Sequence, residues 1–300
     1  MIHVLIKGDT FTMNFKLSKI PMGIKAAVIG LMLLGPFMVA EAHQTYLISD
    51  LYVMRPGTDN YLVLKNGTFH ESDYSITRKM SRDISIVMAG IRQTPPDAEV
   101  SDVDSDAKLR STYIKVFAEK EGTGLAGVAA NPDYIALPAE LFEGYLDHEG
   151  LDAALEDFRA NNKLSTIRER YTKHAKGVFQ VGKLLTDDYK QKLDYKAEIF
   201  IEQNPGDINV GDEMSIQVLF EGKPLNDQLV YVSYADKESA AGESIAESSE
   251  YKLKTDKEGR ATFKITQKDK WYIQLIHMKK IVDEDADYES NWSTINFEIK

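Results

Sequence analysis

Met214-Ser-Ile-Gln-Val-Leu-Phe220 places Met214, Ile216, Val218 and Phe220 on alternate positions, with Ser215 and Gln217 between them. That period of two predicts a strand with one buried face. The same pattern continues in both directions. Ile199 and Ile201 precede the turn signal Asn204-Pro205-Gly206, and Val230, Val232 and Tyr234 follow. A Ser-, Glu- and Ala-rich loop spans 237–250. Thr255-Asp-Lys-Glu-Gly-Arg then feeds another strand, and a final hairpin joins 271–280 to 291–300. Short strands with turn signals at this spacing predict an immunoglobulin-like β-sandwich over residues 189–300.

Upstream, Tyr61-Leu-Val-Leu-Lys, Asp83-Ile-Ser-Ile-Val-Met and Ser111-Thr-Tyr-Ile-Lys-Val-Phe predict a second sandwich over residues 43–188. At Pro138 the period changes. Leu141, Tyr145, Leu146, Leu151, Leu155 and Phe158 recur at helical spacing, so residues 138–176 are read as a helical insertion, with Ser165 to Lys176 as its third segment and a returning strand from Gly177 to Gly182. The chain is therefore expected to be mainly β: two immunoglobulin-like sandwiches, the first carrying helices.

Residues 1–42 read as a targeting segment. Lys16, Lys19 and Lys25 precede an apolar run from Ala26 to Ala40, and Ala40-Glu-Ala42 is a small-x-small cleavage site. The n-region begins well at Met13, which suggests that translation starts there. Cleavage after Ala42 makes His43 the first residue of a periplasmic protein. An α-amine and an imidazole on one residue can close a chelate ring on a metal ion, which an internal histidine cannot do.

Composition limits the chemistry. With no cysteine there are no disulfides, thiolate metal sites or cysteine nucleophiles. Removing residues 1–42 takes away four lysines and two acids, so the net charge of −11 becomes −13. That acidity argues against a nucleic-acid partner. No later segment is apolar over the roughly 18–20 residues that a membrane helix needs.

Most motif matches have plainer explanations. Gly122-Thr-Gly124-Leu-Ala-Gly127 fits a dinucleotide fingerprint only as a pattern, because a strand rather than a helix follows; the glycines are read as a β-turn. Asp102-x-Asp104-x-Asp106 lacks the glycine and glutamate of a calcium loop, since those positions hold Ala107 and Tyr113. No hydrolase or P-loop motif occurs, and the chain is not read as an enzyme. His277 stands out. It shares a strand face with Trp271, Ile273 and Leu275 and precedes Asp283-Glu-Asp-Ala-Asp287 and Glu289. His43 and His277 are the leading metal-ligand candidates, with Glu289 completing the shell and His174, His70 and Asp287 behind them. Nitrogen-rich sites without thiolates suit copper, nickel, cobalt or zinc.

The order of residues resembles a family of bacterial periplasmic proteins catalogued as a domain of unknown function and often labelled nickel- or cobalt-uptake components (NikM-like). The stretches that carry the resemblance are His43-Gln-Thr-Tyr-Leu, Met54-Arg-Pro-Gly and the run from Leu137 to Leu151. Further stretches are Glu169-Arg-Tyr-Thr-Lys-His-Ala-Lys, Leu219-Phe-Glu-Gly-Lys-Pro-Leu, Thr255-Asp-Lys-Glu-Gly-Arg, Ile276-His-Met and Glu289-Ser-Asn-Trp. The resemblance implies transition-metal handling for a membrane transporter, with His43 and His277 on the family's histidine positions. Two rival readings remain open: a protein- or glycan-binding immunoglobulin-like module, and an oxidative copper enzyme built on an N-terminal histidine.

Overall fold

The computed structural model describes residues 3–6, 9–12, 43–105, 108–237 and 248–300. The targeting segment with its cleavage site, Asp106, Ala107 and most of the 237–250 loop lie outside the described residues. β1 (His3–Ile6) and β2 (Asp9–Thr12) pair as a hairpin within a small unit, Met1–Val39.

Ala40–Lys300 is one compact unit. It begins with β3 (Gln44–Ser49), β4 (Val53–Met54), β5 (Asp59–Gly67), β6 (Ser81–Met88) and β7 (Ile91–Gln93). Next come β8 (Val100–Asp104), β9 (Arg110–Phe117), β10 (Gly122–Ala130) and β11 (Asp133–Pro138). Two helices, α1 (Ala139–His148) and α2 (Asp152–Asn161), precede the long β12 (Thr166–Val181). The rest is β13 (Ala197–Ile201), β14 (Glu213–Phe220), β15 (Lys223–Pro224), β16 (Leu229–Tyr234), β17 (Tyr251–Lys254), β18 (Arg260–Lys264), β19 (Asp269–Lys280) and β20 (Tyr288–Ile299). Among the described residues no helix is long and apolar enough to cross a membrane.

The architecture is mainly β and of sandwich type, as expected, but the two sandwiches share a layer. A ten-stranded sheet runs β17-β16-β19-β20-β12-β10-β6-β7, with β11 and β4 also paired to β12. One four-stranded sheet, β3-β5-β9-β8, covers part of one face. The other, β13-β14-β15 with β18 beside β14, covers part of the opposite face. β10 shows how one strand serves both. Ala126 and Val128 enter a core with Leu47, Leu62, Leu64, Ile84 and Phe179. Leu125 and Ala129 enter another with Ile199, Ile216, Trp271, Ile273 and Phe297. Alternating side chains thus build two cores from one backbone.

Two expectations need correction. The segment Ser165 to Lys176 is not helical: the helices end at Asn161, and Thr166–Val181 is a single strand. It pairs with β11 and β10 along one edge and, in parallel, with β20 along the other, and this two-sided pairing overrides a charged local sequence. The glycines at 122–127 are not a turn either. They lie inside β10, where a Cβ on Gly124 would meet the Phe179 ring and one on Gly127 would meet Leu193 and Tyr195. Close packing, not reversal of the chain, requires them.

Candidate functional site

Beyond the first core, the same face of the ten-stranded sheet is covered by the helices. Phe142, Tyr145 and Leu146 of α1 and Leu155 and Phe158 of α2 bury against Ile167, Ile276, Tyr288 and Trp292. The i, i+3, i+4 spacing on α1 makes this the helix's apolar stripe. Within that cover the strand register brings a polar cluster together. Glu169 of β12 accepts hydrogen bonds from Tyr145 Oη of α1 (3.4 Å) and from Ser290 Oγ of β20. Trp292 Nε1 donates to Ser290 Oγ at 3.0 Å. Burial is the main force on this carboxyl and raises its pKa to about 7 against the opposing pull of its hydrogen bonds.

Four residues along β12, on the same face, stands Lys173. Its Nζ lies 5.5 Å from the Trp292 ring and donates to Asn66 Oδ1 at 2.9 Å and to the His43 carbonyl. Burial lowers its pKa to about 8, partly offset by Glu169, Asp133 and Glu149. The lysine therefore fixes the backbone of His43 at the start of β3. The His43 ring packs against Tyr74 at 4.5 Å, and its Nδ1 lies 3.3 Å from Asp73 Oδ2. Asp73 is held in turn by its own N–H, which donates to the Asn66 carbonyl at 3.0 Å. The imidazole is mostly covered, at 14% exposure, whereas the carboxylate is 41% exposed and opens to solvent.

His277 lies on the other face. It shares that face with Trp271, Ile273 and Leu275, as alternation predicted, and its ring centroid is 4.4 Å from that of Phe220 in the second four-stranded sheet. Nδ1 is 3.0 Å from Gln228 Oε1. Burial, reinforced by Lys279, lowers its pKa. Since Lys173 and His43 belong to the helix-covered face, the thickness of the sheet separates His43 from His277. The two do not form a three-nitrogen site.

Of the remaining candidates, Glu289 and Asp287 are occupied by cations, His174 is sealed, and His70 stands apart on an exposed loop. Glu289 accepts from Lys196 at 2.6 Å and Arg170 at 2.8 Å, with Lys279 at 3.5 Å. Burial would raise this carboxyl, but Lys196 and Arg170 outweigh it and hold the pKa at about 2. A metal ion there would join three cations. Asp287 forms a two-oxygen pair with Arg168, at 3.0 and 3.1 Å, which holds its pKa below the usual carboxylate value. His174 is 1% exposed and stacks on Tyr195; burial first, then Arg82, lowers its pKa to about 3. His70 is exposed on the loop after β5. No group of three or more His, Asp or Glu side chains among the described residues has the spacing of a metal site.

Asp73, Tyr74 and Lys173, which surround the candidate His43 in the structure, were not singled out from the sequence. Lys173 lay within a stretch that carried the family resemblance, and so did Glu169. Asp73 gave no signal, because its place beside His43 depends on how the loop after β5 folds back. Asp102 and Asp104, the calcium-like pair, spend their carboxylates on Arg78 N–H, Thr112 and Arg110.

A family model described as Domain of unknown function (DUF4198) matches residues 40–279. No protein of curated function matches the sequence. Among solved structures the chain is similar to the D0–D1 domain of intimin, at 10% identity over 83% of this chain and 95% of that one, TM-score 0.20. It is also similar to the adhesin InvE of Yersinia pseudotuberculosis, at 8% identity over 85% and 58%, TM-score 0.20. The titin domains Z1Z2 in complex with telethonin give 10% identity over 87% and 97%, TM-score 0.17.

Proposed function

The chain belongs to the family described as domain of unknown function DUF4198, and from that premise we propose that it is an exported protein that binds a transition metal ion through His43 and Asp73 and passes it to a membrane transporter. The observation that carries this reading is the 3.3 Å approach of His43 Nδ1 to Asp73 Oδ2. Nδ1 is the ring nitrogen that can share a chelate ring with the α-amine of the same residue. Once cleavage frees that amine, the carboxylate is already beside the chelating nitrogen. Two nitrogens and an oxygen suit copper(II), nickel, cobalt or zinc. Lys173 contributes by holding the His43 carbonyl, and Tyr74 by packing on the ring. The nickel- and cobalt-uptake label of the resemblance is part of this proposal, as are the periplasmic location and the absence of turnover.

The test is calorimetric titration of protein that begins at His43 with copper(II) or nickel(II). One tight site is expected. Adding a single residue before His43 should weaken it strongly while leaving every side chain in place. Asp73→Asn should weaken it at least roughly tenfold, and His277→Ala should leave it unchanged. Affinity should fall as pH falls, because protons compete for imidazole and amine. Loss of binding in His277→Ala with no effect of Asp73→Asn would overturn this ligand set. Absence of a tight site would favour the reading as a protein- or glycan-recognition module.

A further inference from the structure

On the face opposite the helices, Lys176 of β12 points across the second sandwich at Glu198 of β13. Nζ lies 3.3 Å from Oε1, and the two side chains are 1% and 4% exposed. No other ion pair among the described residues has both partners so nearly sealed. The Phe200 ring centroid is 3.9 Å from the lysine nitrogen. The backbone N–H of Leu193, itself buried, donates to the same Oε1 at 3.0 Å. Two full charges kept from water in this way cost several kcal/mol each unless their mutual attraction makes it up. An aromatic face and one amide donor return only part of that. An exported chain without cysteine has also no disulfide to tie its layers together.

We propose that Lys176 and Glu198 condense into an intramolecular amide that links the ten-stranded sheet to the β13 sheet. A bond forms between Lys176 Nζ and Glu198 Cδ, and the bond from Cδ to Oε2 breaks. The ammonium gives up two of its three protons, and both leave with Oε2 as one water. Nothing is oxidised or reduced, and no other reactant takes part. Oε1 remains as the amide carbonyl and keeps the Leu193 N–H, which is placed to stabilise negative charge on that oxygen during addition. The product is neutral, so the cost of burying two charges disappears, and the walls that exclude water also protect the amide from hydrolysis. The link joins residues 22 positions apart on facing strands.

The experiment is intact-mass spectrometry of the denatured full chain, followed by peptide mapping. The expected mass is lower than that of the sequence by one water. Peptides containing Lys176 and Glu198 should be joined, and trypsin should not cut after Lys176. Lys176→Arg and Glu198→Ala should each run at full mass. Wild-type protein at full mass, with Lys176 open to acetylation after denaturation, overturns the proposal. A missing water that persists in Lys176→Arg overturns it too, because the loss then lies elsewhere. None of these readings depends on metal binding at His43.

Discussion

At the scale of single residues, Glu169 makes the clearest thermodynamic statement. Its carboxyl stands at about 7 in the folded protein against 4.5 for the unperturbed group. His174 and His277, whose rings burial keeps from protonating, contribute stability that rises with pH up to about 6.5. Glu169 opposes them, since the folded state holds its proton between about pH 4.5 and 7 where the unfolded state has lost it, and its own contribution falls as pH rises through that window. The change amounts to roughly 3 kcal/mol. Tyr145 and Ser290 face the group directly, and Glu149 and Lys173 act on the same cluster; Lys173, at about 8, titrates above the window. Glu169→Gln keeps an acceptor for both hydroxyls and leaves the histidines in place, so the slope of its urea midpoints from pH 5 to 7 should be more positive than that of wild type. An unchanged slope would place the titration elsewhere. The candidate site was legible to the same depth. Parity along β19 gave His277 its face correctly, and residue chemistry singled out His43. Parity within one strand cannot say which side of the sheet a distant terminal strand covers, so the separation of the two histidines was not legible.

At the scale of elements, the helical hairpin and β12 show what local sequence can and cannot decide. The apolar spacing from Pro138 to Phe158 was legible because each helix needs a stripe facing the sheet. Arg168-Glu-Arg170 was not, since a charged strand paired on both edges carries little apolar alternation. Its charges go to partners on other elements, Arg168 to Asp287 and Arg170 to Asp283 and Glu289. Between the helices, Gly150 has φ +67, and a Cβ there would meet the Tyr231 hydroxyl, which itself donates to the Glu149 carbonyl at 3.2 Å. Gly150→Ala should therefore cost about 1–3 kcal/mol through backbone strain alone. Phe142, fully buried among Tyr145, Phe158 and Tyr288, should cost about 3–5 kcal/mol as Phe142→Ala. Chemical denaturation measures both. If each variant stayed within about 0.5 kcal/mol of wild type, like an ordinary surface change, the hairpin would not be anchored to the sheet.

At the scale of the whole molecule, the shared sheet determines how the chain should unfold. Independent sandwiches joined by a linker would melt separately, each with its own midpoint. Here β10 and β12 are walls of both cores: Ala126, Val128, Ala175 and Phe179 face one, and Leu125, Ala129 and Val178 face the other. Unfolding either sandwich strips the partner of one of its layers. Ile84→Ala belongs to the first core and Trp271→Ala to the second, and each removes a side chain at most 1% exposed. Ile84→Ala should cost about 2–5 kcal/mol and Trp271→Ala about 3–5 kcal/mol. With a common wall, either change should lower one midpoint for residues 43–300, measured alike by far-ultraviolet circular dichroism and by tryptophan fluorescence. In Trp271→Ala that fluorescence comes from Trp292 under the helices, outside both cores, and in Ile84→Ala from Trp271 and Trp292 together. Separate transitions, with Ile84→Ala moving only one of them, would mean that the ten-stranded sheet parts between β12 and β20 before either core melts. The parallel pairing from Glu169 with Tyr288 to Gly177 with Asn296 argues against that, because it spans nine residue pairs at the centre of the sheet and supports both layers at once.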